Sequence, residues 1–381
     1  MADCNHQWSL ISGQCNGQSF NGQWPILVRV SDLDYDLPAS QIAQTPAPRG
    51  TARLLVVNRT TGSWGEATVA DLPCFLTRGD LVVANDSRVF PARLLGRREP
   101  SGGAVECLLL NREPGGGGEW QALVHPGQKL KPGARVVFDD DTRAPGVRLR
   151  GEILERRHFG RRLVRLEVDG APGVDAAVDA LGHVPLPPYI KRPDTASDRD
   201  RYQTIFARAR GSVAAPTAGL HVDESLLLAL AEAGIGWATV TLHVGYGTFK
   251  PVRAERVEDH TVDPERFEIS DAAAAAIDTA HAAGRRVVAM GTTTVRALET
   301  AASDCGVSPG SGETSLFIHP GHPGHRFAVV DALVTNFHLP RSSLLMLVAA
   351  FAGVDLTLAA YRHAVGAGFS FYSYGDAMLI R

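Results

Sequence analysis

At 381 residues the chain is long enough for two domains and a sizeable buried core. Its 44% hydrophobic and 21% charged residues are ordinary for a globular protein, which excludes a charge-rich disordered chain. A formal net charge of −3 gives no overall basic footprint for nucleic acid, although local patches decide that question. Residues 1–24 are polar and rich in Gly, Asn and Gln, and are expected to be a disordered extension unless Trp8 or Trp24 docks on the body. No basic-then-apolar leader opens the chain, and the longest apolar run, around Leu344 to Val354, is too short to span a bilayer. Five scattered cysteines (Cys4, Cys15, Cys74, Cys107 and Cys305) show no metal-like spacing, so a reducing cytoplasm and no metal site are the expectation.

From Leu33 the text reads as a turn, a short helix, a Pro-rich loop and a strand ending near Asn58; residues 79–84 form a second strand. Between about Pro91 and His183 glycine is frequent and helical periodicity nearly absent. Short strands are predicted at Val105 to Leu110, Trp120 to Val124, Arg135 to Phe138, Val147 to Leu154 and Leu163 to Val168. That pattern predicts a small antiparallel β-barrel inserted into a larger domain. Gly115 to Gly118 is a hairpin tip, since no helix follows it to bind phosphate.

After Tyr189 strands and helices alternate, which implies a largely parallel sheet or barrel with its site at the strands' C-terminal ends. The stretch from Ala214 to Phe249 holds AAPTAGLH, a short helix capped by Asp223 and ended at Gly234, and the strand WATVTLHVGYGTF. Along that strand Ala238, Val240, Leu242 and Val244 alternate with Thr239, Thr241 and His243, giving one apolar and one polar face. A polar face on an inner strand either lines a site or holds a core histidine bonded to a neighbour. Further on, an alanine-rich helix runs from Ser270 to Ala283 and a strand from Arg286 to Met290. A helix follows at Val295 to Ala302, then a strand at Val329 to Phe337 and a buried helix at Ser342 to Phe351.

Several groups carry candidate chemistry. Thr292, Thr293 and Thr294 at a helix start offer hydroxyls and free amides to an anion, with Arg296 one turn inside as a carboxylate clamp. Asn85, Asp86 and Ser87 can bond a ribose or a base edge, or form an Asx turn; Arg88 and Arg93 flank the junction with the insert. Asp259 and His260 pair a carboxylate with an imidazole, and Tyr372, Tyr374 and Asp376 stand near the C-terminus. Arg156, Arg157, Arg161, Arg162 and Arg165 form the clearest basic patch, either a tRNA contact or the solvated edge of a hairpin.

Eight motifs occur in order: NDSRVFPARLLG (85–96), GHVPLPPYI (182–190), DRYQTIF (200–206), AAPTAGLH (214–221), TLHVGYGTFKPV (241–252), GTTTVRALE (291–299), DALVTNFHLP (331–340) and FYSYGDAMLI (371–380). From Val30 to Ile380 the chain resembles the S-adenosylmethionine:tRNA ribosyltransferase-isomerase (QueA) family. The resemblance implies a discontinuous α/β-barrel-like catalytic domain, residues 25–90 and 184–381, interrupted by a β-barrel domain at 91–183. It also implies transfer and isomerisation of the ribosyl part of S-adenosylmethionine onto a 7-aminomethyl-7-deazaguanine at the tRNA wobble position, with release of adenine and methionine. Partners would be that tRNA and S-adenosylmethionine, with no membrane, no resident cofactor and a monomeric chain.

A base must remove a proton beside the sulfonium, and the accepting amine must be neutral. Acid–base work is assigned to His221 and His243, then to Asp259 and His260. Thr217, Asn336 and His338 position substrate, and Gly245 and Gly247 leave room for it. Relative to the family pattern, Asp263 stands where a histidine is frequent, Tyr246 fills the middle of Gly-x-Gly, and Val222 follows His221. These departures leave open a paralogue with a small-molecule acceptor. A catalytically silent RNA-binding protein is the third reading.

Overall fold

Apolar residues run unbroken along several strands, the pattern of a sheet covered on both faces. Strand β1 (Arg53–Asn58) buries four consecutive residues, and β2 (Ser63–Thr68) lies beside it at a sheet edge. Every residue of β3 (Leu81–Asn85) is buried. A short β4 (Ser87–Val89) then leads to the insert. The structure, a computed structural model, describes residues 28–381 apart from 114, 116–117, 250–251, 305 and 322–325. The expectations for residues 1–24, and for Cys4, Cys15 and Cys305, lie outside the described residues.

The insert is a closed antiparallel barrel. Its strands are β5 (Arg93–Glu99), β6 (Ala104–Arg112), β7 (Glu119–His125), β8 (Arg135–Asp139), β9 (Arg148–Arg156) and β10 (Arg161–Asp169), in the order β10-β7-β6-β5-β8-β9. Alternate residues such as Leu94, Cys107, Leu109, Trp120, Phe138, Leu149 and Val164 fill it. At Gly96 a Cβ would lie 2.2 Å from the Val137 carbonyl oxygen, so only glycine lets β5 approach β8. Five of these strands follow from the sequence, but the sixth, β5, is masked by its charged residues (RLLGRRE). Helix α1 (Val174–Leu181) corrects the expectation of a helix-free insert; it places Ala177, Val178 and Leu181 in the barrel core.

The chain returns through α2 (Asp198–Arg201) and β11 (Ala209–Ser212), which pairs in parallel with β4. Helix α3 (Glu224–Glu232) is capped by Asp223, whose carboxylate accepts from the Leu226 amide at 2.8 Å, and Gly234 follows it at φ 72. Strand β12 (Gly236–Leu242) then pairs with β3 and with β13 (Glu265–Ile269). Helix α4 (Asp271–Ala282) is capped by Ser270, as expected. Strand β14 (Val287–Met290) runs into α5 (Thr292–Ala301), which begins three residues before the predicted start. Short strands β15 (Ala302–Ser303) and β16 (Gly306–Val307) precede β17 (Gly310–Thr314). Strand β18 (Ala332–Asn336), helices α6 (Ser343–Ala352) and α7 (Val354–Gly366), and β19 (Ala377–Ile380) complete the fold.

The nine-stranded sheet has the order β17-β13-β12-β3-β14-β18-β19-β1-β2. Its middle strands β12, β3, β14 and β18 are mutually parallel, so their C-terminal ends open on one side. Successive residues of β3 face opposite layers: Val83 joins the core under α4 to α7, while Val82 and Ala84 pack against α3. Among the described residues no single helix is long and apolar enough to cross a membrane; α6 and α7 reach the composition together but are bent by 116°.

Candidate active site

The exits of the parallel strands converge on a narrow cavity of about 520 Å³, counted to its open mouth. The chain leaves β14 through Gly291, whose φ of 96 is a backbone state that disfavours a side chain. With glycine there, α5 has no side-chain cap, and its first-turn amides stay available at an end of partial positive charge. Thr292 and Thr293 line the cavity from this end, whereas Thr294 turns inward and donates to the Met290 carbonyl at 2.9 Å.

The exit of β18 supplies Asn336 and His338. Asn336 is 1% exposed, and its Nδ2 donates to the Tyr372 carbonyl at 3.1 Å and to His221 Nε2 at 3.0 Å. The carbonyl fixes the amide's orientation, so His221 Nε2 accepts, and the ring is neutral with its proton on Nδ1. Burial, with Arg49 second, pushes the His221 pKa down to about 4, which agrees with that state. Asn336 Oδ1 is buried without a hydrogen-bond partner on the cavity wall. His338 also lines the cavity, 2.9 Å from Thr335 Oγ1, and burial pushes its pKa down to about 3.

Segment Ala214–Ala218 forms another wall and brings Thr217 into the lining. Arg49 braces the end of this motif by donating to the carbonyls of Leu220, Asp200 and Gln203. Tyr372 closes the site with φ 75, a strained state for a tyrosine, and its ring meets Tyr189 edge-on with centroids 3.8 Å apart. Among the described residues no Asp, Glu, Lys or Arg lines this cavity. Tyr189, Thr248 and Ser373 line it too. They are absent from the expected set although each lies inside a family motif, because those motifs carry other polar residues with more familiar chemistry.

The other expected site residues sit elsewhere. Asn85 clamps β3 to β12: it donates to the Leu242 carbonyl and to Thr293 Oγ1 and accepts from the amides of Leu242 and Ser87. Asp86 accepts from Thr241 at 2.6 Å, Thr239 at 3.2 Å and Arg208 at 3.0 Å. His243 packs on Gly211 outside the cavity, its Nδ1 buried without a hydrogen-bond partner, and burial lowers its pKa. Ser87 is buried too, with its hydroxyl unpaired. Arg93 holds Glu106 through two contacts, at 2.8 and 3.0 Å.

Arg296 meets Glu265 in a largely buried ion pair and donates to the carbonyls of Leu316 and Thr314, and both partners line a smaller cavity that adjoins the first. Gly245 donates its amide to Glu265 at 2.7 Å, and a Cβ at Gly247 would lie 2.8 Å from Asp263. Tyr374 donates to the buried Asp198 at 3.0 Å, and Asp376 accepts from the amides of Arg53 and Ser370. Asp259 is exposed, and His260 packs edge-on against Phe317, which lines a smaller second cavity that shares Thr248 and Leu344 with the first.

A wide cleft between the barrel and the large domain adjoins the cavity through neighbouring residues, Val213 beside Ala214 and Ile190 beside Tyr189. Arg93, Leu108, Leu123, Pro187, Lys191 and Tyr246 are among its lining residues. In the arginine patch, Arg157 pairs with Glu113 and Glu155, Arg161 with Asp263 and Arg165 with Glu119. Arg162 is 4% exposed and donates to carbonyls that include those of Leu130 and Gly127. These contacts favour the hairpin reading for those four arginines, while Arg156 is exposed with no such partner among the described residues. Among the described residues no group of three or more His, Cys, Asp or Glu is arranged to hold a metal ion.

A sheet with a mostly apolar cavity, set with a few polar side chains, at the exits of its parallel strands, and a barrel inserted beside it, is the architecture of a small-molecule-binding α/β enzyme. The chain belongs to the queuosine biosynthesis protein family, whose family model matches residues 30–380. It is similar to the S-adenosylmethionine:tRNA ribosyltransferase-isomerase of Solibacter usitatus, with 50% identity over 93% of this chain and 100% of the relative. Proteins of the same name from Anaeromyxobacter dehalogenans (50% identity) and Symbiobacterium thermophilum (48%) each match 93% of the chain and 99% and 100% of their own length. The fold is similar to the crystal structure of S-adenosylmethionine tRNA ribosyltransferase from Thermotoga maritima, at 36% identity and a TM-score of 0.51. That match covers 92% of this chain and 100% of the other.

Proposed function

We propose that this protein is an S-adenosylmethionine-dependent tRNA ribosyltransferase-isomerase of queuosine biosynthesis, working in the cytoplasm as a monomer. The reaction moves the ribosyl group of S-adenosylmethionine onto the aminomethyl group of a 7-deazaguanine in tRNA and rearranges it to the epoxycyclopentane, releasing adenine and methionine. One observation carries the reading. Residues of AAPTAGLH, GTTTVRALE, DALVTNFHLP and FYSYGDAMLI, far apart in sequence, line a single cavity at the parallel strand exits.

The chemistry of the lining supports a zwitterionic sulfonium donor. The uncapped start of α5 suits its carboxylate. Tyr189 and Tyr372 offer aromatic surface to a sulfonium cation, and among the described residues no lysine or arginine in the lining repels it. The unpartnered Asn336 Oδ1 is an acceptor awaiting a donor group of the ligand, and His221 holds that amide in place. His338, in the lining and neutral through burial, is the imidazole best placed to take the proton from the carbon beside sulfur. The adjoining cleft is wide enough to admit the acceptor nucleotide of a tRNA, whose neutral amine then attacks the ribosyl carbon.

The test is incubation with S-adenosylmethionine and unmodified tRNA, base-exchanged tRNA or the free 7-aminomethyl-7-deazaguanine, followed by adenine release and nucleoside mass analysis. Adenine release that depends on the exchanged tRNA, with the matching gain in nucleoside mass, is the expected result. Release with the free deazaguanine but not with tRNA assigns a small-molecule acceptor, and no release at all refutes the enzyme.

A further inference from the structure

At the hinge where the chain enters and leaves the barrel lies a separate cleft of about 810 Å³, lined by Arg88, Phe90, Arg199, Gln203, Arg208 and Arg210 among others. Strands β4 and β11 place Arg88 and Arg210 directly opposite one another. Like charges in that relation are unfavourable unless something negative lies between them. Arg210 is met by Asp179 at 2.6 Å and lies 4.9 Å over the Phe90 ring. Arg208, with a side chain 77% exposed, meets the buried Asp86 at 3.0 Å.

Among the described residues the other two arginines have no carboxylate partner. Arg199 donates to the carbonyls of Asp179 and Gly182, both at 2.8 Å, which orients the guanidinium without neutralising it. Arg88 is exposed, and its side chain makes no hydrogen bond or ion pair among the described residues. Asp198 also borders the cleft, but both its oxygens meet Arg192 at 2.7 and 2.8 Å. Two positive charges are therefore uncompensated, on a floor made rigid where Gln203 bonds both the amide and the carbonyl of Val89.

From this arrangement we infer that the hinge cleft binds backbone phosphates of the tRNA. Arg88 and Arg199 are the uncompensated cations, and Arg208 and Arg210 are held beside them. Phosphates there supply the counter-charge that Arg88 and Arg199 lack and release condensed counterions from the RNA. The cleft is also close to the chemistry: Tyr202, in its lining, belongs to the same small core as Ala215, which lines the reaction cavity. In the β9–β10 hairpin Arg157, Arg161 and Arg165 each meet a carboxylate and Arg162 is buried, which leaves only the exposed Arg156 unpaired there among the described residues.

This inference rests on the proposed tRNA substrate, so the experiment measures wild-type protein beside its variants. Equilibrium binding of a deazaguanine-exchanged tRNA is followed at several salt concentrations for wild type, Arg88→Glu and Arg88→Lys, with melting temperatures checked for each. The exposed Arg88 makes either substitution tolerable to the fold. Arg88→Glu is expected to weaken binding about tenfold and to lower the salt slope by about 1, while Arg88→Lys keeps most of both. Folded Arg88→Glu protein with wild-type affinity and slope overturns the cleft and leaves the enzyme reading intact. Wild-type protein that fails to bind tRNA overturns both.

Discussion

Replacing Arg296 by methionine keeps much of the aliphatic stem but removes the guanidinium that meets Glu265, in a pair whose side chains are only 11% and 4% exposed. Glu265 then keeps the Gly245 amide at 2.7 Å but faces no counter-charge, and the carbonyls of Leu316 and Thr314 lose their donor. Removing one partner of a buried ion pair costs about 3–5 kcal/mol, so the melting temperature should fall by on the order of 10 °C. The sign of the pH dependence follows from Glu265. Burial already raises its pKa and Arg296 opposes the rise, so the variant's pKa lies higher still. A carboxyl with a folded pKa above its unfolded value contributes stability below the unfolded pKa, and that contribution is lost as pH rises through the folded pKa.

Arg296→Met should therefore be closer to wild type at pH 5 than at pH 8. Calorimetry at both values, with Glu265→Gln/Arg296→Met alongside, reads the effect; the double variant should recover much of the loss at pH 8. An Arg296→Met protein that melts within about 2 °C of wild type at pH 8 refutes the ion-pair role. If it loses donor affinity instead, Arg296 is returned to the substrate carboxylate.

Asn336→Ala removes the unpartnered acceptor and strips His221 of its donor, so donor affinity should fall at least about tenfold while melting drops modestly; unchanged affinity in calorimetric titration refutes its place in the site. Single-turnover rates on one preparation separate the histidines. His338→Gln should lower the chemical step by about a hundredfold or more, and His243→Gln, outside the cavity, should act more on melting than on rate; the reverse order refutes the assignment. His221 and His338 have folded pKa values of about 4 and about 3, below the ordinary 6.5, so the unfolded chain takes up protons first on acidification. Between pH 6.5 and 5 each should remove up to about 2 kcal/mol of stability, and denaturant midpoints that stay flat over that window in wild type refute the buried neutral state.

Local pattern was enough for the elements whose residues face one environment. The caps at Asp223 and Ser270, the alternation along β12 and five barrel strands follow from spacing alone, because capping and strand periodicity are set by near neighbours. The sixth barrel strand and helix α1 were not legible, since β5 turns its charged residues outward and α1 owes its apolar face to the barrel it closes.

Motif order pointed to the family, and Thr217, Thr292, Thr293, Asn336 and His338 do line one cavity. Side-chain partners are another matter. Whether Arg296 faces a ligand or Glu265, whether Asp86 reads a ribose or staples Thr239 and Thr241, and which of three histidines borders the cavity depend on residues up to hundreds of positions away. A sequence lists the donors and acceptors. Only the packed structure decides which are already satisfied, and two of the unsatisfied ones, Asn336 Oδ1 in the cavity and Arg88 at the hinge, are where binding is expected.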